Sequence, residues 1–295
     1  MKELAFIAKE IGWANALFYF FYKIKLKLGF LPFVKNCRQQ QQQRIQKIYE
    51  ALAILQQGTV FIYNKRYLQK QLFNQEHSVL LRPYSSDTKA FEQVIEREEY
   101  RCVVEMYRQQ FKNEPTQIFD CGANIGLASI YFWQNFPAAK FTVLEPFADN
   151  AAMIRLNFES AGLSNFHFLE AGVWNKDGQL SLNRQFRDGQ EWSVNLEEGQ
   201  AGEGNIKVFS LAELLEKNDA AVDILKIDIE GAETVLFADA AYAARFLSKT
   251  KCIAIEIHDE FNIRNRIYEL LQANHFFFYN TNELTIGINR QFIES

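Results

Sequence analysis

The chain has 295 residues, of which 48% are hydrophobic and 23% charged, enough apolar material for one large or two small cores and too ordinary a balance for a disordered chain. Its net charge of −4 excludes a broad basic face for RNA or DNA, so no nucleic-acid partner is expected. Cys37, Cys102, Cys121 and Cys252 are scattered without a C-x-x-C pair, which argues against a zinc site or a disulfide framework and for reduced thiols in the cytoplasm.

Residues 1–57 read as helical. Ile11 to Tyr22 is apolar and aromatic, but 12 residues are too few to span a bilayer. Lys23, Lys25 and Lys27 follow with no small-residue cleavage site before them, so no secretory signal is expected. Residues 1–38 hold seven basic residues against Glu3 and Glu10, a net +5, among Trp13, Phe18, Phe20, Phe21 and Phe30. Two readings stay open for this arm: peripheral contact with the inner face of a membrane, or an accessory helix packing its aromatics on the main domain or on a second copy in a homodimer. Gln39 to Gln43 read as the solvated face of a second helix carrying Ile45, Ile48, Tyr49, Leu52 and Leu55. Two β-rich pieces, Thr59 to Tyr63 and Ser78 to Arg82, precede a helix from about Asp87 to Phe111. The boundary between an N-terminal accessory region (1–110) and a main domain (111–295) is placed there.

From Pro115 onward, strands at about 117–121, 140–145, 166–170, 222–228, 251–257 and 275–280 alternate with helices, and a last strand lies near 284–289. Such alternation implies a parallel sheet with right-handed crossovers and ligands at the carboxyl ends of its strands. Residues 183–205, with Gly189, Gly199, Gly202 and Gly204 among charges, interrupt the rhythm as a mobile lid or a disordered surface loop, and Trp192 favours the lid.

The segment Ile118-Phe-Asp-Cys-Gly-Ala-Asn-Ile-Gly126 reads as strand, tight loop and helix start. Gly122 permits a positive φ, and free N–H groups at the helix start suit polar ligand atoms. Asp120 stands where the dinucleotide fingerprint has its first glycine. A carboxylate there repels a pyrophosphate and suits the cationic amino-acid end of S-adenosylmethionine; a nicotinamide dehydrogenase is therefore the weaker enzyme reading. Glu145 ends the next strand, where a ribose diol is usually held.

Leu225 to Glu233 brings Asp228, Glu230 and Glu233 to the end of a buried strand, with Lys226, Asp228 and Glu230 expected on one face. A neighbouring strand, Cys252 to His258, ends in Glu256 and His258, so Asp228, Glu230 and His258 are expected to converge. Three uses follow: a general base for a hydroxyl nucleophile, with His258 titrating near neutrality; a carboxylate–imidazole metal site; or structural ion pairing. The base is preferred and no metal is assigned. His77, His167 and His275 read as structural.

Together, Leu81-Arg82, Ser86-Asp87, Glu99-Tyr100, Asp120 to Gly126, Glu145-Pro146, Asn157, Lys226 to Glu233 and Glu256-Ile-His258 make the chain resemble the FkbM family of S-adenosylmethionine-dependent methyltransferases over roughly residues 78–280. The resemblance implies a Rossmann-like α/β class I methyltransferase: a seven-stranded, mostly parallel sheet with its last strand antiparallel, plus an N-terminal helical and β extension. It also implies O-methylation of a hydroxyl on a saccharide, glycolipid or natural product. Cofactor contacts are then expected at Asp120, Gly122, Ala123, Asn124, Gly126, Glu145, Pro146, Ala171 and Asp228, with Asp228, His258 and Glu230 catalytic. The alternative from another class is a non-catalytic binding or scaffold protein that keeps the cofactor fold and is recruited through its aromatic–basic arm.

Overall fold

The computed structural model describes residues 2–27, 44, 47–48, 51–52, 59–62, 65–73, 76–183, 195–197, 205–218, 220–281 and 283–293. The chain divides into two compact units, Met1–Ala90 and Phe91–Ser295.

In the first unit, α1 (Lys2–Ile11) and α2 (Trp13–Lys27) break at Gly12. Ile7, Ala16, Tyr19, Ile48 and Ala51 form their shared core. The Tyr19 hydroxyl (2.9 Å) and the Lys23 ammonium (2.7 Å) both donate to Glu3, which ties α2 back onto α1. Gln39 to Gln43, Ile45, Tyr49 and Leu55 of the expected second helix lie outside the described residues. Strands β1 (Thr59–Ile62), β2 (Lys65–Gln71) and β3 (Ser78–Leu81) form an antiparallel sheet in that order.

The helix expected over 87–111 is broken. It consists of α3 (Asp87–Phe91), a π-helical turn over Glu92–Glu96, and α4 (Arg101–Gln110). The Arg97 N–H reaches back to Glu92 (2.8 Å), and Glu98 then takes a left-handed φ of 52°. The physical reason is Tyr100: the interruption lets its ring join Tyr131 and Phe132, at centroid distances of 6.5 and 5.2 Å.

The second unit is built on seven strands: β4 (Gln117–Cys121), β5 (Lys140–Leu144), β6 (Phe166–Leu169), β11 (Val222–Ile227), β12 (Thr250–Glu256), β13 (Phe276–Thr281) and β14 (Leu284–Asn289). Their order is β13-β14-β12-β11-β4-β5-β6. Neighbours from β12 to β6 run parallel, while β14 is antiparallel to both β12 and β13. The last strand is thus the antiparallel one, as expected. Helices α5 (Leu127–Asn135) and α6 (Ala148–Ala161) follow β4 and β5. Helices α7 (Leu211–Glu216), α8 (Glu233–Leu236), α9 (Ala240–Leu247) and α10 (Arg264–Ala273) serve the other half. Strand β11 is buried at every position, as a parallel strand covered on both faces must be.

Between β6 and β11 the chain makes a second sheet that the sequence did not suggest. It comprises β7 (Gly172–Trp174), β8 (Gly178–Asn183), β9 (Asn195–Glu197) and β10 (Asn205–Ser210), ordered β7-β10-β8-β9. Strand β10 runs parallel to β7, with Val208 opposite Gly172 and Ser210 opposite Trp174. The Tyr242 hydroxyl, from α9, donates to the Trp174 carbonyl (2.8 Å) and accepts from the Ala212 N–H (3.2 Å). Strand β9 falls within the interruption at 183–205, of which residues 184–194 and 198–204, Trp192 included, lie outside the described ones.

At the amino end of the sheet, Asp223 is 2% exposed on β11, flanked by Val222 and Ile224. Its carboxylate accepts from Tyr107 of α4 (2.8 Å), the Lys251 ammonium (2.7 Å), the Thr116 N–H and hydroxyl (2.7 and 2.9 Å) and the Gln117 N–H (2.9 Å). Burial alone would raise its pKa, but Lys251 and the other donors outweigh burial and hold it below the usual value. A depressed carboxylate stabilises the fold above its unfolded pKa and loses that contribution as pH falls through the folded one. Asp223→Ala should lower the unfolding free energy in urea by about 3 kcal/mol at pH 7. The difference from wild type should shrink below about pH 4, and equal midpoints at pH 7 would refute the clamp.

Candidate functional site

The parallel strands end level with one another. Cys121 is paired with both Leu144 and Ile227, Leu144 with Leu169, and Ile227 with Ile255. The strand order reverses between β4 and β11, and that is where an open α/β sheet forms its ligand crevice. The two chains meet there closely. Gly122 has φ +80°, and a Cβ on it would lie 1.7 Å from the Asp228 carbonyl, so only glycine fits. The Asp228 N–H in turn donates to the Cys121 carbonyl (3.1 Å).

The N–H groups of the loop that precedes the helix start are used within the protein. Those of Gly122 and Ala123 both donate to the Leu144 carbonyl (3.0 Å each), that of Gly126 to Ala123 (2.8 Å), and that of Asn124 to Glu145 (2.8 Å). The reason is geometric: the loop curls over the end of β5 instead of pointing its amides outward. Gly126, at φ +86°, starts α5, and Asn157 from α6 holds the loop from behind by donating to the Ile125 carbonyl (2.9 Å).

Asp120 also sits differently from the expectation. It is fully buried beneath the loop and accepts from the Ser129 hydroxyl (2.6 Å). Lys226, its cross-strand partner in the ladder, brings its ammonium to 3.2 Å from the other oxygen. The same ammonium donates to the Gly122 carbonyl (2.6 Å) and lies 3.5 Å from Asp228. Burial would drive Lys226 toward neutrality, but Asp120, with Asp228 assisting, keeps its pKa well above the ordinary value. Asp120 thus reaches the crevice through Lys226.

Glu145 is 3% exposed and accepts from Asn124, the Phe147 N–H (3.1 Å) and Asn150 (3.3 Å). Burial pushes its pKa up to about 7 in spite of these donors. Pro146 is half-buried beside it, while Ala123 and Ala171 are buried. These positions offer the crevice backbone and shape.

Asp228, Glu230 and His258 do converge: one ligand atom from each lies within 4.8 Å of the others. The His258 Nε2 is 3.4 Å from Glu230 and its Nδ1 3.3 Å from Glu233, which is fully buried and also accepts the Ile229 N–H (3.1 Å). Asp228 and Glu230 are not on a strand face, because β11 ends at Ile227 and Glu230 turns through a left-handed φ of 53°. His258 does not behave as a neutral-range base. Burial favours its uncharged form, yet the bonds to Glu230 and Glu233 outweigh that and lift its pKa to about 11.

Three acids not assigned to the site complete it. Glu256 at the end of β12 is pushed up to about 8 by burial and by the charge of Asp228, with Glu283 and Glu99 adding to it. Gln93 donates to both Glu99 (2.7 Å) and Glu283 (3.3 Å). Glu256 carried a sequence signal as an acid where strands end and Glu99 as part of the Glu99-Tyr100 segment of the resemblance, though neither was assigned to the site; Glu99 and Glu283 come from the segment before α4 and the β13–β14 turn.

This donor set fits S-adenosylmethionine. Carboxylates crowded enough to retain a proton suit a ligand carrying an ammonium and a sulfonium, and Glu145 directly follows the second parallel strand, the level at which such folds usually hold a ribose. The fold and the site together define a class I methyltransferase that uses this cofactor. Residues 120–279, more than half of the chain, match the family described as the Methyltransferase FkbM domain, and the chain belongs to that family. No curated protein matches it. Among solved structures it is similar to a precorrin-6y C5,15-methyltransferase from Geobacter metallireducens (12% identity, 64% of this chain and 88% of that one, TM-score 0.39). It is also similar to an rRNA methylase from Streptococcus thermophilus (8%, 64% and 94%, 0.40). A third is the S-adenosylmethionine-bound magnesium protoporphyrin IX methyltransferase from Synechocystis PCC 6803 (12%, 66% and 79%, 0.37).

Nitrogen-15 NMR of the His258 ring should report an imidazolium at pH 8, whereas Glu233→Gln should bring its titration down toward neutrality. A neutral wild-type ring at that pH would contradict the two-glutamate clamp.

Proposed function

We propose that this methyltransferase acts on a hydroxyl oxygen of a saccharide, glycolipid or natural product. The observation that carries the reading is Asp228: a partly exposed carboxylate at the crevice, anchored by Lys226 and beside His258, whose ring nitrogens are both taken up by Glu230 and Glu233. S-adenosylmethionine, when bound, supplies an electrophilic methyl group on a positively charged sulfur. Asp228 accepts the hydroxyl proton as the oxygen becomes nucleophilic, and the Lys226 and His258 charges balance the surrounding acids. Glu145 accepts the ribose hydroxyls and the 122–126 loop shapes the wall beside them. Alignment of the oxygen supplies much of the remaining rate.

A second reading is favoured by the spacing of Asp228, Glu230 and His258. Ligands about 2.1 Å from one ion lie about 3.0–3.4 Å apart, close to the 3.4 Å between Glu230 and His258. A divalent cation there would orient the acceptor.

Radiolabelled methyl transfer to a panel of glycans, glycolipids and hydroxylated natural products, with methyl ethers identified by mass spectrometry, tests the proposal. Methylation confined to nitrogen or carbon would overturn it. Asp228→Asn should cut turnover by about 10²–10⁴ while leaving S-adenosylhomocysteine affinity within about tenfold. Loss of activity on chelation, restored by added Mn²⁺, would favour the second reading.

Glu145→Gln should weaken S-adenosylhomocysteine by roughly ten- to a hundredfold, because charge-assisted bonds become neutral ones. Ionisation sets the sign of the pH effect: wild-type affinity should rise from pH 6 to 8 as Glu145 loses its proton near 7, and the variant should show no such rise. Identical pH profiles would remove Glu145 from the cofactor site.

A further inference from the structure

We propose that α2 lies in the surface of an anionic lipid bilayer. Trp13, Leu17, Phe20 and Phe21 are 71%, 55%, 44% and 59% exposed, and their spacing of i, i+4, i+7 and i+8 puts them on one helix face. Ala16 and Tyr19, on the other side, are buried with Ile7 of α1. Single exposed apolar side chains are ordinary, but four large ones on one face form a surface that water solvates poorly. The helix has 15 residues, about 22 Å of rise against about 30 Å of hydrocarbon. No described helix is long and apolar enough to cross a membrane, so the face meets lipid from the side.

Charge selects the occupant. Residues 1–38 carry +5 and the other 257 carry −9, which together give the chain its −4. Lys2, Lys9 and Lys23 are exposed on α1 and α2. An arm-to-arm homodimer would press two +5 segments together, whereas anionic headgroups neutralise them while the Trp and Phe rings settle at interfacial depth. On the O-methylation reading above, membrane residence narrows the acceptor to hydroxyls displayed at a bilayer, such as those of a glycolipid. That extension rests on the reading; the lipid contact does not.

Vesicle sedimentation of the full chain, with no acceptor or turnover involved, tests it. Vesicles of phosphatidylcholine with roughly 30% phosphatidylserine should bind at least about tenfold more tightly than phosphatidylcholine alone. The double variant Phe20→Ser, Phe21→Ser should lose at least about tenfold of that binding while keeping wild-type circular dichroism and S-adenosylhomocysteine affinity. Absent binding, equal binding to both vesicles, or binding indifferent to the two substitutions would overturn the proposal. So would a wild-type dimer in analytical ultracentrifugation that the same substitutions dissolve.

Discussion

Lys226 is an ammonium at 3% exposure, and a cation removed from water costs several kcal/mol unless anions and dipoles replace the solvent. Asp120 across the ladder, the Gly122 carbonyl above it and Asp228 one residue past the strand supply that replacement. Because these partners belong to β4, its loop and β11, satisfying one charge fixes the relative position of all three. The loop conformation, its close approach to Asp228 and the aim of the Asp228 carboxylate are therefore consequences of a single electrostatic requirement.

The crevice beside it has a built-in charge deficit. Glu99, Asp228, Glu230, Glu233, Glu256 and Glu283 gather around Lys226 and His258, and Asp228, Glu283 and Glu99 add to burial in raising the pKa of Glu256 to about 8. A cationic cofactor meets a site short of positive charge, so its own charge contributes to recognition. His258 is spent on this balance: clamped between two glutamates, it organises Glu230 and the buried Glu233.

Much of this was legible in the sequence. The strands of the main sheet follow from apolar runs, those at its centre ending in acids; their alternation with helices gave a parallel sheet, and the antiparallel last strand came from the family resemblance. The β7–β10 sheet was not legible, because β7 and β9 are three residues each, too short to show a period. The break before α4 depends on where the Tyr100 ring is buried, a tertiary fact. At the site, the convergence of Asp228, Glu230 and His258 could be read from neighbouring strand ends. The state of His258 could not, since it depends on a buried partner 25 residues away. The burial of Asp120 against Lys226 was hidden for a similar reason: Lys226 lies on a strand that is adjacent only in space. Asp223 did leave a signal, an acid between two apolar residues near the start of a buried strand, which demands a partner.

The pairing of β7 with β10 has a consequence of another kind. The two run in the same direction about 4.8 Å apart, with Trp174 at the end of β7 opposite Ser210 at the end of β10, and the Tyr242 hydroxyl ties these ends together through the Trp174 carbonyl and the Ala212 N–H just beyond. A segment whose entry and exit are neighbours can be lengthened, shortened or replaced without altering the path of anything outside it. Residues 175–207 are in this sense a socket fitting. The architecture leaves descendants of this gene free to trade that piece for another while inheriting the rest of the enzyme unchanged.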